Sequence, residues 1–450
     1  MLAAVALVAG CSSGNSSAGS SGSSTAAASA SGSVGPAKIT GPVAPGSDIG
    51  LTSSEIRVGM IADVSTAVAP GLFQKNVNAV KAWAGLVNAN GGLAGRKVAV
   101  DFCDGKLDSN ATTNCVIQAC QNDFALVGTA ANVLTDLSDL DGCKNAAGKA
   151  IGIPNLAAVA FPPLACDKVT YMAAGYGQYC TTASSKPQTY TVNDGEFRYY
   201  KTLDPGLHGI WVYNGDVPTV RIAQVPTFQA GSDLGIKKDG QGFYTSSGTA
   251  PQSALTPLVQ VLKQNQSTFG YGGATTANAV LIRKEARLQG VNSVKVWACQ
   301  GCYDSSFITQ GGSAVDSEYT ATAYLPFYTD WQDNASLKSL VNAVGGVNNI
   351  DGNSLMSYVD ALLFQDAVTK ATANGGTLDR QTFFTAMSKE TAFDADGVTG
   401  PTNYAAHTVS ACIAISQVQN GQWKRAFPVK AGTFDCNPAN VSTIKLNLAQ

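Results

Sequence analysis

The sequence predicts an α/β fold built from two doubly wound units, each a mainly parallel sheet with helices on both faces. Three observations point there. Short β-rich runs alternate with helical stretches from Glu55 onward; the alternation breaks at an irregular, cysteine-bearing segment (Pro162–Asp194) and then resumes. The chain has 450 residues and is 45% hydrophobic, enough for more than one buried core.

Ile56 to Ile61 is a first strand of the fully buried kind. Val77, Val80, Ala84 and Val87 follow at helical spacing, and Asn90-Gly91-Gly92 supplies the glycine stop. Lys97–Phe102 is the second strand and Ser109–Gln121 a helix. Phe124–Gly128 is the third strand, Val133–Lys149 a helix, and Ile151–Phe161 the fourth strand. Beyond the irregular segment, Gly209–Tyr213, Val220–Val225, Gly242–Ser246, Ala279–Arg283 and Ser293–Ala298 read as strands. Helices are expected at Ser253–Gln264 and Thr276–Gln289, the second overlapping one of those strand candidates. Glu318–Phe327 is extended, and helices return at Asn334–Val344, Ser354–Ala373 and Asp379–Lys389. Strands near Cys412–Val418 and Trp423–Phe427 close the pattern. Alternation at this spacing implies parallel strands covered on both faces.

Composition excludes several function classes. Charged residues are 13% of the chain and the formal net charge is −2, with no basic block, so nucleic acid is not an expected partner. No apolar run approaches the roughly 20 residues that span a bilayer. The two histidines, His208 and His407, have no metal-ligand spacing, and no cofactor or metal is expected. The GxSxG string Gly10-Cys11-Ser12-Ser13-Gly14 falls in a low-complexity tract, and no P-loop, HExxH or helix-opening GxGxxG occurs. The chain therefore does not read as an enzyme.

Leu2 to Gly10 is apolar and small-residue-rich and leads into Val8-Ala9-Gly10-Cys11, which resembles a bacterial lipobox. Residues 1–10 are then a signal peptide, truncated if its basic region lies upstream of Met1, and Cys11 is the lipidation site. The competing reading of Cys11 is a free thiol near a terminus. Ser12 to Ala37 carries no charge and little beyond Ser, Gly and Ala, the composition of a flexible tether within residues 11–50. A protein so anchored sits outside the cytoplasm, held to the membrane by its lipid. Its ten other cysteines fit disulfides. The local pairs Cys166–Cys180, Cys299–Cys302 and Cys412–Cys436 are expected, with Cys103, Cys115, Cys120 and Cys143 pairing among themselves. Cys299-Gln300-Gly301-Cys302 also matches a redox CxxC, but lacks that motif's strand-then-helix flanks.

Several segments resemble the type I periplasmic binding proteins, particularly the leucine/isoleucine/valine-binding branch. Ile56–Ser65 resembles the family's opening strand and loop. Val87-Asn88-Ala89-Asn90-Gly91-Gly92-Leu93-Ala94-Gly95-Arg96-Lys97-Val98 is similar to its turn between first helix and second strand. Leu255–Lys263, Tyr271-Gly272-Gly273, Asp360-Ala361-Leu362 and Gly397-Val398-Thr399-Gly400-Pro401 resemble later family segments, so the likeness covers Glu55 to Phe427.

The resemblance implies two lobes with crossings near Thr191–Arg198, Leu325–Asp330 and Asp394–Pro401. The N-terminal lobe would take residues 51–195 plus 330–395 and the C-terminal lobe 196–329 plus 396–450. It further implies a solute-binding lipoprotein, a monomer, that closes on a small molecule and delivers it to an ABC-type importer. A ligand sensor acting through a separate membrane partner is the alternative. The family's carboxylate-binding hydroxyls fall on Thr129 or Asn132 and near Phe161, its ammonium-binding acid falls on uncharged Gln300, and its cleft aromatic is Tyr271. A buried ammonium without a partner costs several kcal/mol. The expected ligand is thus neutral or partly apolar rather than zwitterionic, unless Asp304 substitutes, with Phe73 and Tyr303 as further apolar walls.

Overall fold

The computed structural model describes residues 41–447 apart from 67–69, 135–136, 161–163, 174–176, 179–186, 217 and 273–274. Residues 1–40, and with them the signal peptide, Cys11 and most of the tether, lie outside the described residues, as do Cys180 and the Cys166–Cys180 pairing.

The elements in order are β1 (Glu55–Ala62), α1 (Gln74–Ala89), β2 (Lys97–Asp104), α2 (Ser109–Asn122), β3 (Ala125–Ala130), α3 (Ser138–Gly142), β4 (Asn155–Val159), β5 (Thr170–Met172), β6 (Gly177–Gln178) and β7 (Gln188–Asn193). There follow α4 (Gly195–Leu203), β8 (His208–Asn214), α5 (Pro218–Asp233), β9 (Lys237–Ser246), α6 (Gln252–Gln264), β10 (Phe269–Gly272), α7 (Thr276–Leu288), β11 (Val296–Cys299), α8 (Ser305–Gly311) and β12 (Glu318–Thr322). The chain ends with α9 (Phe327–Asp330), α10 (Ala335–Ala343), α11 (Gly352–Thr372), α12 (Arg380–Met387), β13 (Ala414–Gln419), β14 (Gln422–Phe427) and β15 (Val441–Leu446).

Two sheets carry the fold. The first has strand order β2-β1-β3-β4-β5, all parallel. The second has order β14-β13-β12-β11-β10-β8-β9, parallel from β8 to β12, with β13 and β14 running antiparallel at one edge. A small antiparallel sheet, β15-β7-β6, zips the chain's last strand to the segment leading from the first sheet to the second. The chain also passes between the sheets after β12 and again before β13. These two passages touch, because the Leu325 amide donates to the Val398 carbonyl at 2.8 Å.

Local chemistry explains the boundaries. The Gly92 amide returns to the Val87 carbonyl at 3.0 Å, closing α1 with Gly91 and Gly92 in the left-handed region that glycine enters without a Cβ clash. Capping boxes open α11, through Asp351 and Ser354, and α12, through Asp379 and Thr382. Arg380 is fully buried and donates to the carbonyls of Asp123, Phe124 and Lys144, pinning α12 to the start of β3. Cys103–Cys115 and Cys120–Cys143 tie α2 to β2 and to the end of α3. Cys299–Cys302 and Cys412–Cys436 pair as the sequence suggests.

Several sequence expectations fail for physical reasons. Val220–Val225 lies inside α5 rather than in a strand, because Val220, Ala223 and Gln224 share one helical face that lines a cavity. Ala279–Arg283 lies within α7, where Ala279, Val280 and Ile282 are buried at helical spacing. The helix expected over Val133–Lys149 is only α3. Gly148 and Gly152 beyond it adopt positive φ, and Cys143 is held by its disulfide. Strands β5, β6, β7 and β15 and helices α4, α8 and α9 have no counterpart in the sequence expectations, and β10 is marked there only by the Tyr271-Gly272-Gly273 turn at its end.

Beneath α2, Asp123 sits in a polar pocket of about 220 Å³ with Arg57 and Asp101. Its carboxyl is pushed up to about 8, by burial first and then by the neighbouring Asp101 carboxyl. The folded state therefore holds a proton that the unfolded chain releases near pH 4, and this group's contribution to stability falls as pH rises from about 4 to about 8. Asp123→Asn removes that dependence, so its melting-temperature advantage over the wild type should be larger at about pH 8.5 than at about pH 5 in paired thermal scans. Arg380→Met removes the donor from the buried Asp123 and Phe124 carbonyls and from the partly buried Lys144 carbonyl, and should lower unfolding stability by about 3–5 kcal/mol in urea titrations.

Candidate functional site

Open α/β sheets leave a crevice at the carboxyl ends of their strands, where loops and helix N-termini converge. Here the two sheets bring such ends together around one cavity of about 680 Å³, within the range typical of small-molecule sites. The first sheet's side contributes Leu72 and Lys75 at the start of α1, Ala158 to Ala160 at the end of β4, Met172 and Ala173 at the end of β5, and Asp351 to Asn353 with Met356 at the start of α11. The second sheet's side contributes Val220, Ala223 and Gln224 of α5, Thr276 of α7, and Gln300, Gly301, Tyr303, Asp304 and Ser306 after β11. Tyr324 comes from a connecting passage.

The sequence places α1 and α11 here through a buried polar knot. The Asn76 side-chain amide donates to the Ser357 hydroxyl and to the Asn353 carbonyl, each at 2.9 Å. The Ser357 hydroxyl donates to the Gly128 carbonyl at 3.0 Å. A Cβ at Gly128, whose φ is +74°, would lie 2.5 Å from Val80 and 3.0 Å from Ser357, so glycine permits the approach. On the other side, the Cys299–Cys302 disulfide brackets Gln300 and Gly301, and Gly301 takes φ +80° to make the turn. Among the described residues the Gln300 side chain has no hydrogen-bonding partner in the protein and faces the cavity.

The charged lining groups are Lys75, Asp304 and Asp351. The Lys75 ammonium lies 3.0 Å from Asp304 and 3.9 Å from Asp351. Burial raises the Asp304 carboxyl, but hydrogen bonds from Ser306 and Lys75 outweigh it and leave the group below its usual value. Burial lifts the Asp351 carboxyl above the ordinary range, only partly offset by Ser354 and Lys75.

Of the residues singled out from sequence, Gln300, Tyr303 and Asp304 meet on the cavity wall. Tyr303 is buried, with its ring 4.7 Å from Phe327 and 5.1 Å from Trp423 and its hydroxyl accepting from the Tyr328 amide. Phe73 is buried in the core behind Leu72 and Lys75 and does not line the cavity. Thr129 is buried in β3, donating to the Asn155 side chain at 2.7 Å. The Asn132 amide donates to Asp63 at 2.9 Å. Neither lines the cavity, and Phe161 lies outside the described residues. Tyr271 is also away from the cavity: its ring packs on Phe228 at 5.2 Å, and its hydroxyl donates to the buried Glu196 at 3.1 Å. The Glu196 carboxyl is pushed up to about 7 by burial, against the hydrogen bonds from Tyr271 and Tyr200. Sequence reasoning missed Lys75, Asp351 and Tyr324. The Asp351-x-x-Ser354 cap was a readable signal for the second; the other two carry none.

The chain matches the family described as periplasmic binding protein over residues 55–183 and 225–422. No curated protein matches it by sequence. Among solved structures it is similar in fold to a fatty acid ABC transporter substrate-binding protein from Thermomonospora curvata, with 18% identity, a TM-score of 0.65, and 87% of this chain and 98% of that one covered. An ABC transporter substrate binding protein from Aeropyrum pernix gives 14% identity and a TM-score of 0.66, covering 86% and 97%. A branched chain amino acid ABC transporter from Thermus thermophilus with bound valine gives 14% and 0.62, covering 83% and 95%.

Tyr271→Ala should lower unfolding stability by about 3–5 kcal/mol, as truncating a buried aromatic does. Gln300→Ala, at a half-buried position, should leave the melting temperature of the ligand-free protein within about a degree of wild type.

Proposed function

The chain belongs to the periplasmic binding proteins, and from that premise we propose that it captures a neutral or partly apolar solute in the cavity between its sheets and delivers it to an ABC-type importer. The observation that carries the choice of ligand is the state of the polar wall. Lys75 is engaged by protein carboxylates, whereas the Gln300 amide is available to both donate and accept. Leu72, Val159, Met172, Val220 and Met356 supply an apolar body. Such a surface matches amide, hydroxyl or carbonyl groups on an apolar frame.

Capture means a hinge equilibrium between open and closed forms, with the solute favouring closure. The two touching passages at Leu325 and Val398 and the strand pair β7–β15 support a hinge there. We place the lobes at 51–195 with 330–395 and at 196–329 with 396–450. Helices α10 to α12 support the first grouping and strands β13 and β14 the second. The protein would act as a monomer outside the cytoplasm, tethered by lipid on Cys11. Among the described residues no helix is long and apolar enough to cross a membrane.

A thermal-shift screen of the soluble form beginning near Lys38 tests the reading, using amides, short carboxylates, sugars, amino acids, aromatic acids and apolar metabolites. A true solute at 100 times its Kd adds about 2.7 kcal/mol to stability, and Gln300→Ala should weaken its binding about ten-fold, roughly one hydrogen bond's worth. A leucine or valine hit would keep the solute-binding role and overturn the preference for a neutral ligand.

A further inference from the structure

The charges that line the cavity form a built arrangement. Asp304 and Asp351 belong to different sides of the cleft, and each uses one carboxylate oxygen as a helix N-cap. Asp304 Oδ1 accepts from the Ser306 amide at 2.7 Å, and Asp351 Oδ1 accepts from the Ser354 amide at 2.8 Å. Each turns its other oxygen toward the same ammonium: Lys75 Nζ is 3.0 Å from Asp304 Oδ2 and 3.9 Å from Asp351 Oδ2. The ammonium also donates to the Ile350 carbonyl at 3.4 Å. Among the described ion pairs, Lys75–Asp304 is the one that joins the two sides across the cavity.

Two consequences follow. An ammonium has three donors, and those of Lys75 face three acceptors of the protein itself. With both carboxylates ionised, two of them against one ammonium leave this end of the cavity with one negative charge in excess. At the starts of α8 and α11 the Ser306 and Ser354 amides are already taken by the Asp304 and Asp351 caps, whose negative charge stands between those helix ends and an incoming anion. A carboxylate entering here meets like charge in a partly desolvated space, where Coulomb interactions are several times stronger than in water.

We propose that the Lys75–Asp304–Asp351 cluster sets the charge selectivity of the cleft, admitting apolar solutes that are uncharged or carry an amine and rejecting their carboxylate counterparts. This rests on the solute-binding reading of the same cavity and narrows it. Lys75 is then a specificity-determining residue that braces the two sides and neutralises one carboxylate, rather than an anchor for a ligand anion.

The test is isothermal titration of the full protein near neutral pH with hexanamide, hexylamine and hexanoate, extended to branched and longer homologues. Hexanamide or hexylamine should bind at least about ten-fold more tightly than hexanoate. Asp304→Asn with Asp351→Asn keeps both caps, since Asn caps helices as well as Asp, and frees the ammonium. In that double variant hexanoate should gain about ten-fold or more while hexylamine weakens. Lys75→Met, which leaves both capping residues and their cap hydrogen bonds in place, should strengthen hexylamine and further weaken hexanoate, and gives an independent reading if the double variant is unstable. Wild-type protein that binds hexanoate as well as hexanamide would overturn the charge selectivity and leave solute binding intact. The same holds for variants that keep the wild-type order. Silence from every homologue, with wild type and variants alike, would count against the cavity as a solute site and remove this inference with it.

Discussion

The Ser357 hydroxyl reaching the Gly128 carbonyl is the contact on which the cavity depends. It joins a residue late in the chain to the middle of β3, and Asn76 of α1 completes the knot. All these groups are buried, so each would carry a desolvation cost if left unmade. The hydrogen bonds they make fix where two helix N-termini stand relative to the first sheet. Lys75 and Asp351 follow from that placement, because one neighbours Asn76 and the other caps the helix that carries Ser357.

On the opposite wall a covalent constraint replaces a polar one. Cys299 and Cys302 hold the two residues between them in a turn at the carboxyl end of β11, and Asp304 opens α8 directly afterwards. The Trp423 indole donates to the Asp304 carbonyl at 3.2 Å, tying this turn to the antiparallel edge of the second sheet. The CxxC spacing therefore serves geometry: it fixes the backbone turn from which the Gln300 side chain faces the cavity. Where the walls meet, a neutral amide sits beside an ion cluster whose ammonium is occupied by acceptors of the protein itself. That division of labour, apolar and neutral contacts for the ligand and charges for bracing the sides, gives the site its chemical character.

Strand-helix alternation was legible because buried parallel strands need continuous apolar runs and helices need 3.6-residue spacing. It failed where those signals overlap: Val220, Ile222 and Val225 are β-branched yet occupy α5, and Ala279 to Arg283 suits either period. Strand β15 was missed because Val441–Leu446 pairs with a segment some 250 residues away in sequence, and nothing local marks that partnership. In the site, the family resemblance put Gln300 on the cleft wall, and Tyr303 and Asp304, close behind it after β11, line the same cavity. The resemblance also put Tyr271 in the cleft, but the side on which a strand residue falls is decided by packing. In the fold, Phe228 and Glu196 claim it for the core.

The sequence by itself determined the two parallel-sheet units, the capping and glycine stops that bound their helices, and the family to which the chain belongs. These depend on local periodicity and turn chemistry, which act over a few residues. Only the tertiary structure decided that Lys75, Asp304 and Asp351 form one cluster, because the charges come from segments separated by 229 residues and more in part of the set. Charge at a site is a sum over groups that become neighbours only when the ends of the two sheets are brought together, and no local rule encodes that sum.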